Sequence, residues 1–116
     1  MVSAKSPRVR LQHVIDQIDG IVTATQGLSS AEIANSYIHA RAVERAVQII
    51  SEAAKELPPE LRGKYPNVHW QPIIGIGNLL RHEYYRINPR DLWEIVTTHL
   101  PALRPVIARM LTEISD

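Results

Sequence analysis

The chain has 116 residues, with 13 basic and 12 acidic side chains and no cysteine. This length is typical of a single domain, here residues 1–116, and the missing thiols exclude disulfides and cysteine-bound metal. A net charge of +1 excludes a surface that binds polyanions everywhere. Because no apolar run approaches membrane length, we expect a cytoplasmic protein with no membrane association.

The first predicted helix begins at Ser6 and Pro7, a capping residue followed by a proline in the tolerant first turn. Apolar residues then recur at intervals of three and four as far as Thr25, which indicates an amphipathic helix. Gly20 lies inside this helix at a cost of about 1 kcal/mol relative to alanine. Gly27 predicts its end, because glycine is typical of helix C-termini.

Residues 29–57 are predicted to form the longest helix. Ser29 and Glu32 have the spacing of a capping box, and apolar residues follow from Ile33 to Leu57 at a mean step of about 3.5 residues. A second apolar strip beside the first suggests that the helix is covered on two sides, as in a bundle or a dimer. Two prolines then end the helix, since a proline ring removes a donor and clashes with the preceding turn.

The next predicted elements are a short turn over residues 60–64 and a helix over residues 70–84 that Asn67 caps. Gly75 and Gly77 weaken this helix by about 1 kcal/mol each. The sequence leaves open whether they allow the close approach of another helix or are simply tolerated.

The last third of the chain completes an all-helical prediction. Asn88 and Pro89 are the cap and first residue of another helix, and Pro101 and Pro105 predict a break or kink before a final apolar stripe that ends at Ile114. No stretch alternates with the period of a strand. The predicted fold class is all-α, with about five helices and a short turn.

The segment from Trp70 to Trp93 is the candidate site, because it holds both tryptophans and two of the four tyrosines in a chain without phenylalanine. Asn78 and His82 are four residues apart and share one helical face, and Tyr84 follows closely. An imidazole, an amide and a phenol suit phosphate chemistry, with the imidazole as proton shuttle. The residues alone support equally well a helix end whose polar side chains only cap and solvate.

Arg81, Arg86 and Arg90 add positive charge to this segment. Arg81 and Arg86 are weak candidates for contacts with RNA, although scattered arginines more often form an ordinary solvated surface. No histidine pair has the spacing of a metal site with a carboxylate, so we predict no metal and no cofactor.

Four segments of the chain resemble the HepT-like toxins of the HEPN superfamily, and the similarity extends over residues 10–114. They are R-L-Q-H-V-I-D-Q-I at 10–18, R-A-V-E-R-A-V-Q-I-I-S-E-A-A at 41–54, P-N-V-H-W-Q-P-I-I-G at 66–75 and N-L-L-R-H-E-Y at 78–84. The resemblance implies an antiparallel up-and-down helical bundle and a metal-independent ribonuclease, with tRNA among its candidate targets. It also implies a homodimer with the RNA cleft between protomers, and a minimal nucleotidyltransferase antitoxin as partner.

The catalytic motif of that family is an arginine, four residues, a histidine, one residue and a tyrosine, usually with asparagine directly after the arginine. This chain matches it with Asn78, His82 and Tyr84 but has Gly77 at the arginine position. By resemblance His82 is the general base or acid and Asn78 a positioning residue. The missing guanidinium would stabilise charge on the phosphate, and losing such a group commonly costs about a hundred- to a thousandfold in rate.

The departure at Gly77 leaves two hypotheses. In the first, the chain is an RNA-cleaving toxin that Gly77 impairs or that a nearby arginine compensates, and an arginine at 77 creates or restores activity. In the second, it is a non-catalytic dimer that only binds the nucleotidyltransferase. The sequence does not tell whether Gly77 is natural or introduced.

Tyr84 has a second expected role. The resemblance makes it the residue to which the nucleotidyltransferase attaches AMP, placing negative phosphate beside His82 and excluding RNA. Tyr85 is the competing acceptor, but its spacing from His82 differs from that of the motif.

Overall fold

A computed structural model describes residues 6–114, and every regular element in this range is helical, so the all-α prediction is confirmed. In the same range, no helix combines the length and hydropathy needed to cross a bilayer. The elements in order are α1 Pro7–Ala24, α2 Ser30–Ala34, α3 Tyr37–Glu56, α4 Pro59–Gly63, α5 Trp70–His82, a 3₁₀ turn Tyr84–Arg86, α6 Pro89–Glu94, a π-helical turn Ile95–His99 and α7 Leu100–Glu113.

The core lies between α1, α3 and α7, which pack with the antiparallel contacts that the sequence predicted. α1 packs against α3 on one side and against α7 on the other, and α5 packs on a further face of α3. The face of each long helix that carries its apolar period is therefore the buried one. Fully buried side chains include Leu11 and Ile18 of α1, Val43 of α3, and Ile107 and Met110 of α7.

α1 begins and ends near where the sequence predicted. The Ser6 hydroxyl accepts a hydrogen bond from the backbone N–H of Val9 at 3.2 Å, and Pro7 is the first helical residue. The helix ends at Ala24, and Gly27 follows with φ +81°, a left-handed conformation that favours glycine. Local capping chemistry therefore predicted both ends of this element within a few residues.

A bidentate ion pair ties α1 to α7. Arg104 donates to the two carboxylate oxygens of Asp19 at 2.6 and 2.9 Å. These hydrogen bonds stabilise the ionised carboxylate and hold the pKa of Asp19 below its usual value. The pair consequently stabilises the fold at neutral pH, and its contribution is lost as the pH falls through the pKa of the folded state.

The predicted long helix over residues 29–57 is wrong in one respect, because it is divided into α2 and α3. The capping box is confirmed, with Glu32 N–H donating to the Ser29 hydroxyl at 3.1 Å and Ser29 N–H donating to the Glu32 carboxylate at 2.9 Å. α2 ends after five residues, and Ser36 caps α3 by accepting from His39 N–H at 3.2 Å. The break lets α2 pack against α6.

The prolines near the C-terminus do not break the helical path. α6, the π-helical turn and α7 follow one another without interruption from Pro89 to Glu113. Pro101 cannot donate to the carbonyl of Thr97, so an α-helical bond is missing there. The wider π-helical turn, Ile95–His99, lies directly before Pro101, where that bond is missing.

α5 begins at the predicted Trp70, but its predicted cap is wrong. Asn67 caps nothing; the helix begins at Trp70, with His69 at the capping position and no side-chain cap. The Trp70 indole N–H donates to the carbonyls of Arg62 and Tyr65, both at 3.1 Å, and the side chain is buried. The predicted turn over residues 60–64 is α4. An aromatic anchor, rather than a cap, fixes where α5 begins.

Candidate functional site

One face of α5 is exposed to solvent and carries the polar residues of the candidate site. Asn78 and His82 are both exposed and lie four residues apart within α5, so they share a face as predicted. Gly75 lies one turn before Asn78 and is also exposed, and apart from its chain neighbours and its own helix backbone nothing lies within 4 Å of the place where a Cβ would stand. This face is therefore open to a large ligand.

α5 ends at His82, two residues before the predicted end. Glu83 leaves helical geometry with φ −142° and ψ 45°, and Tyr84 begins a 3₁₀ turn. The rings of Tyr84 and Tyr85 meet edge to face with centroids 6.0 Å apart, and the two residues are 67% and 72% exposed. Tyr84 therefore lies beyond the end of the helix rather than on the face of Asn78 and His82.

The two tryptophans of the candidate segment are structural. Trp70 anchors the start of α5, and the indole N–H of Trp93 donates to the carbonyl of Leu28 at 3.3 Å. The aromatic residues of this segment are thus of two kinds. The tryptophans at its ends are buried or half-buried, and the tyrosines between them are exposed.

Each arginine of the candidate RNA-contacting group pairs with a carboxylate, so the group is not a free positive patch. The pairs are exposed to different degrees, and exposed ion pairs contribute only about 0–1 kcal/mol, so a phosphate can compete for the guanidinium. The partners are Arg81 and Glu52 at 3.2 Å, Arg86 and Glu83 at 3.2 Å, and Arg90 and Glu94 at 3.6 Å.

Gly77 is buried at the contact between α5 and α3. The Ser51 hydroxyl donates to the carbonyl of Ile74 at 2.8 Å and accepts from the backbone N–H of Gly77 at 3.2 Å. A Cβ on residue 77 would overlap Ser51 Oγ and lie 2.6 Å from Ser51 Cβ. Of the two readings that the sequence left open for Gly77, close approach of another helix is confirmed.

Position 77 has no room for the arginine that the resemblance places there. Any side chain must displace Ser51 or move α5 away from α3. The prediction that Gly77→Arg creates activity therefore requires a shift of Ser51 or of α5. The complementary Ser51 hydroxyl gives the glycine a structural reason within this chain.

Two residues of α3 that the sequence analysis did not select contact the candidate segment. Ser51 holds the backbone of α5, and Glu52 holds Arg81 from the following position on α3. The only local signal was the glycine at 77, which permits a close contact without revealing its partner.

Comparison with known proteins identifies the family. The sequence matches the family described as "HepT-like: Ribonuclease HepT-like" over residues 11–110. "Putative RNase TTE0752" of Caldanaerobacter subterraneus subsp. tengcongensis is 33% identical over 107 residues, which are 92% of this chain and 96% of that protein. "Putative RNase MJ1380" of Methanocaldococcus jannaschii is 29% identical over 103 residues, 89% of this chain and 94% of that protein.

A shorter match is also to a protein named as a ribonuclease. "Probable ribonuclease HepT" of Thermococcus cleftensis is 33% identical over 63 residues, 54% of this chain and 57% of that protein. No solved structure shows a significant match. The chain belongs to the ribonuclease HepT-like family, as its sequence segments predicted.

We predict that Gly77→Ala destabilises the protein by about 1–3 kcal/mol, the usual range for overpacking a tight contact. Gly75→Ala is the matched control, because it lies on the same helix with open space at its Cβ. It should be neutral or should stabilise the fold by up to about 1 kcal/mol through helix propensity. Urea unfolding of the three proteins measures the difference.

The partner of Gly77 is tested by a double-mutant cycle. Ser51→Gly removes the two atoms with which the new Cβ would clash, so Gly77→Ala should cost less in that background than in the parent. Ser51→Ala would not serve, because it retains the Cβ. Equal stabilities of Gly77→Ala and Gly75→Ala would contradict the packing assignment.

Proposed function

We propose that the protein is a metal-independent endoribonuclease and the toxin of a type II toxin-antitoxin pair. The observation that carries this proposal is the exposed face of α5, where Asn78 and His82 are adjacent within a ribonuclease HepT-like chain. The Arg81 guanidinium lies in the same final turn. These groups supply a proton shuttle, an orienting amide and a positive charge, which are the parts that RNA cleavage requires.

The proposed reaction is transfer of the phosphodiester to the neighbouring ribose hydroxyl. His82 takes the proton of the 2′-hydroxyl, whose oxygen attacks the adjacent phosphorus as the bond to the 5′-oxygen breaks. The leaving 5′-oxygen takes a proton from an imidazolium, and the products carry a 2′,3′-cyclic phosphate and a 5′-hydroxyl. The Asn78 amide orients His82 or a phosphate oxygen by hydrogen bonding.

We predict that His82→Ala lowers the rate of RNA cleavage by about 10²–10⁴, the usual contribution of a general acid or base. His13→Ala, at an exposed position of α1, is the control and should cleave at the parental rate. Single-turnover cleavage of end-labelled RNA in the presence of EDTA measures both. Loss of activity in EDTA, or parental activity of His82→Ala, would contradict the proposed mechanism.

A second candidate function is favoured by Gly77, which leaves the motif without its arginine. In this case the protein is a non-catalytic dimer that binds the nucleotidyltransferase. This candidate function predicts that neither the parent nor His82→Ala cleaves RNA. The same cleavage assay therefore separates the two candidates.

We also propose a homodimer in which α3 and α5 contribute to the interface, so that two copies of His82 serve one cleft as base and acid. Support comes from the start of α3, where Tyr37 and Ile38 are both 76% exposed. Exposed large apolar side chains side by side are typical of interaction surfaces.

For this interface we predict that light scattering gives twice the chain mass of 13.1 kDa for the parent. Ile38→Asp should shift the population towards the single chain, because it places a charge in an apolar contact. Thr23→Asp, at an exposed position of α1, is the control. A parental species of single-chain mass at micromolar concentration would contradict the dimer.

The proposed partner is a minimal nucleotidyltransferase that modifies Tyr84. The phenolic oxygen would attack the α-phosphorus of ATP, so that an AMP–tyrosine bond forms, pyrophosphate leaves and the phenol loses its proton. The exposure of Tyr84 supports this role, but Tyr85 is equally accessible. We therefore assign the acceptor to Tyr84 because only Tyr84 has the motif spacing from His82, with one residue between them.

We predict that incubation with the cognate nucleotidyltransferase and ATP adds AMP increments to the intact mass and that Tyr84→Phe abolishes them. Tyr85→Phe is the matched control, since its ring packs against that of Tyr84 and is similarly exposed. Increments that persist in Tyr84→Phe and vanish in Tyr85→Phe would reassign the acceptor.

A further inference from the structure

We propose that Arg81, held by Glu52, supplies the cation that Gly77 does not, and contacts the scissile phosphate. This inference rests on the proposed ribonuclease function and adds to it a catalytic residue, Arg81, and a positioning residue, Glu52. The observation that carries it is the position of the Arg81 side chain over Gly77, at the contact between α5 and α3.

The Arg81 side chain lies one helical turn after Gly77 and leans back towards it. Residues 77 and 81 lie four apart on α5, and side chains of a helix lean towards its N-terminus, so residue 81 covers residue 77. Nη1 of Arg81 lies 3.9 Å from the place where a Cβ of residue 77 would stand. A guanidinium is thus present close to where the side chain of a motif arginine would begin.

The guanidinium of Arg81 is preorganised. Glu52 on α3 accepts from Nη1 at 3.2 Å, so two helices fix the side chain. The side chain of Arg81 is 31% exposed, whereas those of Arg86 and Arg90 are 61% and 75% exposed. A guanidinium has five N–H donors, and the contact with Glu52 leaves others for a phosphate.

The C-terminal end of α5 also matters electrostatically. The C-terminal end of a helix carries partial negative charge, which disfavours a phosphate unless a cation offsets it. His82 is the last residue of α5, so a phosphate that reaches its imidazole lies at this end. Arg81 precedes His82 directly and is the arginine of that last turn, so its charge lies within about one turn of the end that the phosphate would approach.

The alternative is that the pair between Arg81 and Glu52 only fastens α5 to α3. An ion pair of this exposure contributes little to stability, and a purely structural role predicts a small change in unfolding with no selective change in the chemical step. The experiment must therefore include a property that depends on contact with the phosphate.

The test measures kcat and KM for RNA cleavage by Arg81→Ala and Arg81→Lys, with Arg86→Ala as the matched control. Arg81→Ala should lower kcat by about 10²–10³, the usual effect of losing one charge stabiliser, and Arg81→Lys should recover part of it. Arg86→Ala should chiefly raise KM. Circular dichroism and urea unfolding confirm that each variant is folded.

A phosphorothioate at the scissile position separates contact from structure. Sulfur in place of a non-bridging oxygen should slow the parent, and this slowing should largely disappear in Arg81→Ala, where the contact is already lost. Glu52→Gln should lower kcat less than Arg81→Ala and weaken the sulfur effect, because the guanidinium remains but is less fixed. A structural tether would leave the sulfur effect unchanged in every variant.

The outcomes distinguish this inference from the proposed function. If Arg81→Ala cleaves at the parental rate while His82→Ala does not cleave, the role of Arg81 is overturned and the ribonuclease stands. If the parent cleaves no RNA, or if His82→Ala cleaves as the parent does, the proposed function fails and this inference fails with it.

Discussion

The hydrogen bonds of Ser51 to the backbone of α5 hold α3 and α5 close together, and the placement of Arg81 depends on that distance. Gly77 allows the hydroxyl to reach its N–H because no Cβ lies between them. A wider separation would expose the half-buried apolar side chains of α5 and draw Arg81 away from Glu52. The contact between Ser51 and Gly77 therefore supports both the position of α5 and the placement of the Arg81 guanidinium.

The sequence predicted those helix starts that depend on local chemistry. Ser6, Ser29 and Asn88 each cap a helix as expected, since a cap involves residues only two or three positions away. The break before Ser36 was missed because the apolar spacing continues from Ile33 across it. What turns α2 aside is its packing against α6, a tertiary contact that periodicity along the chain does not contain.

In the candidate site, too, local features were predicted and tertiary contacts were missed. Asn78 and His82 share a face because four residues make about one helical turn, and this holds wherever α5 packs. The role of Gly77 lies in Ser51, which is 26 residues away along the chain, so no local spacing could reveal it. Trp70 was selected as part of a site and instead anchors the helix, because scarcity of aromatics does not separate core from surface.

Gly77 and Arg81 of α5 both take part in the contact with α3. On a helix, the space over residue 77 can be filled by its own side chain or by that of residue 81 leaning back one turn. With glycine at 77, the Ser51 hydroxyl takes the place of a Cβ, and α3 lies close enough for Glu52 to hold the Arg81 guanidinium beside it. An arginine at 77 would have to displace Ser51 or move α5 away from α3. In this chain, the close packing at Gly77 and the placement of Arg81 therefore belong to the same contact between α3 and α5.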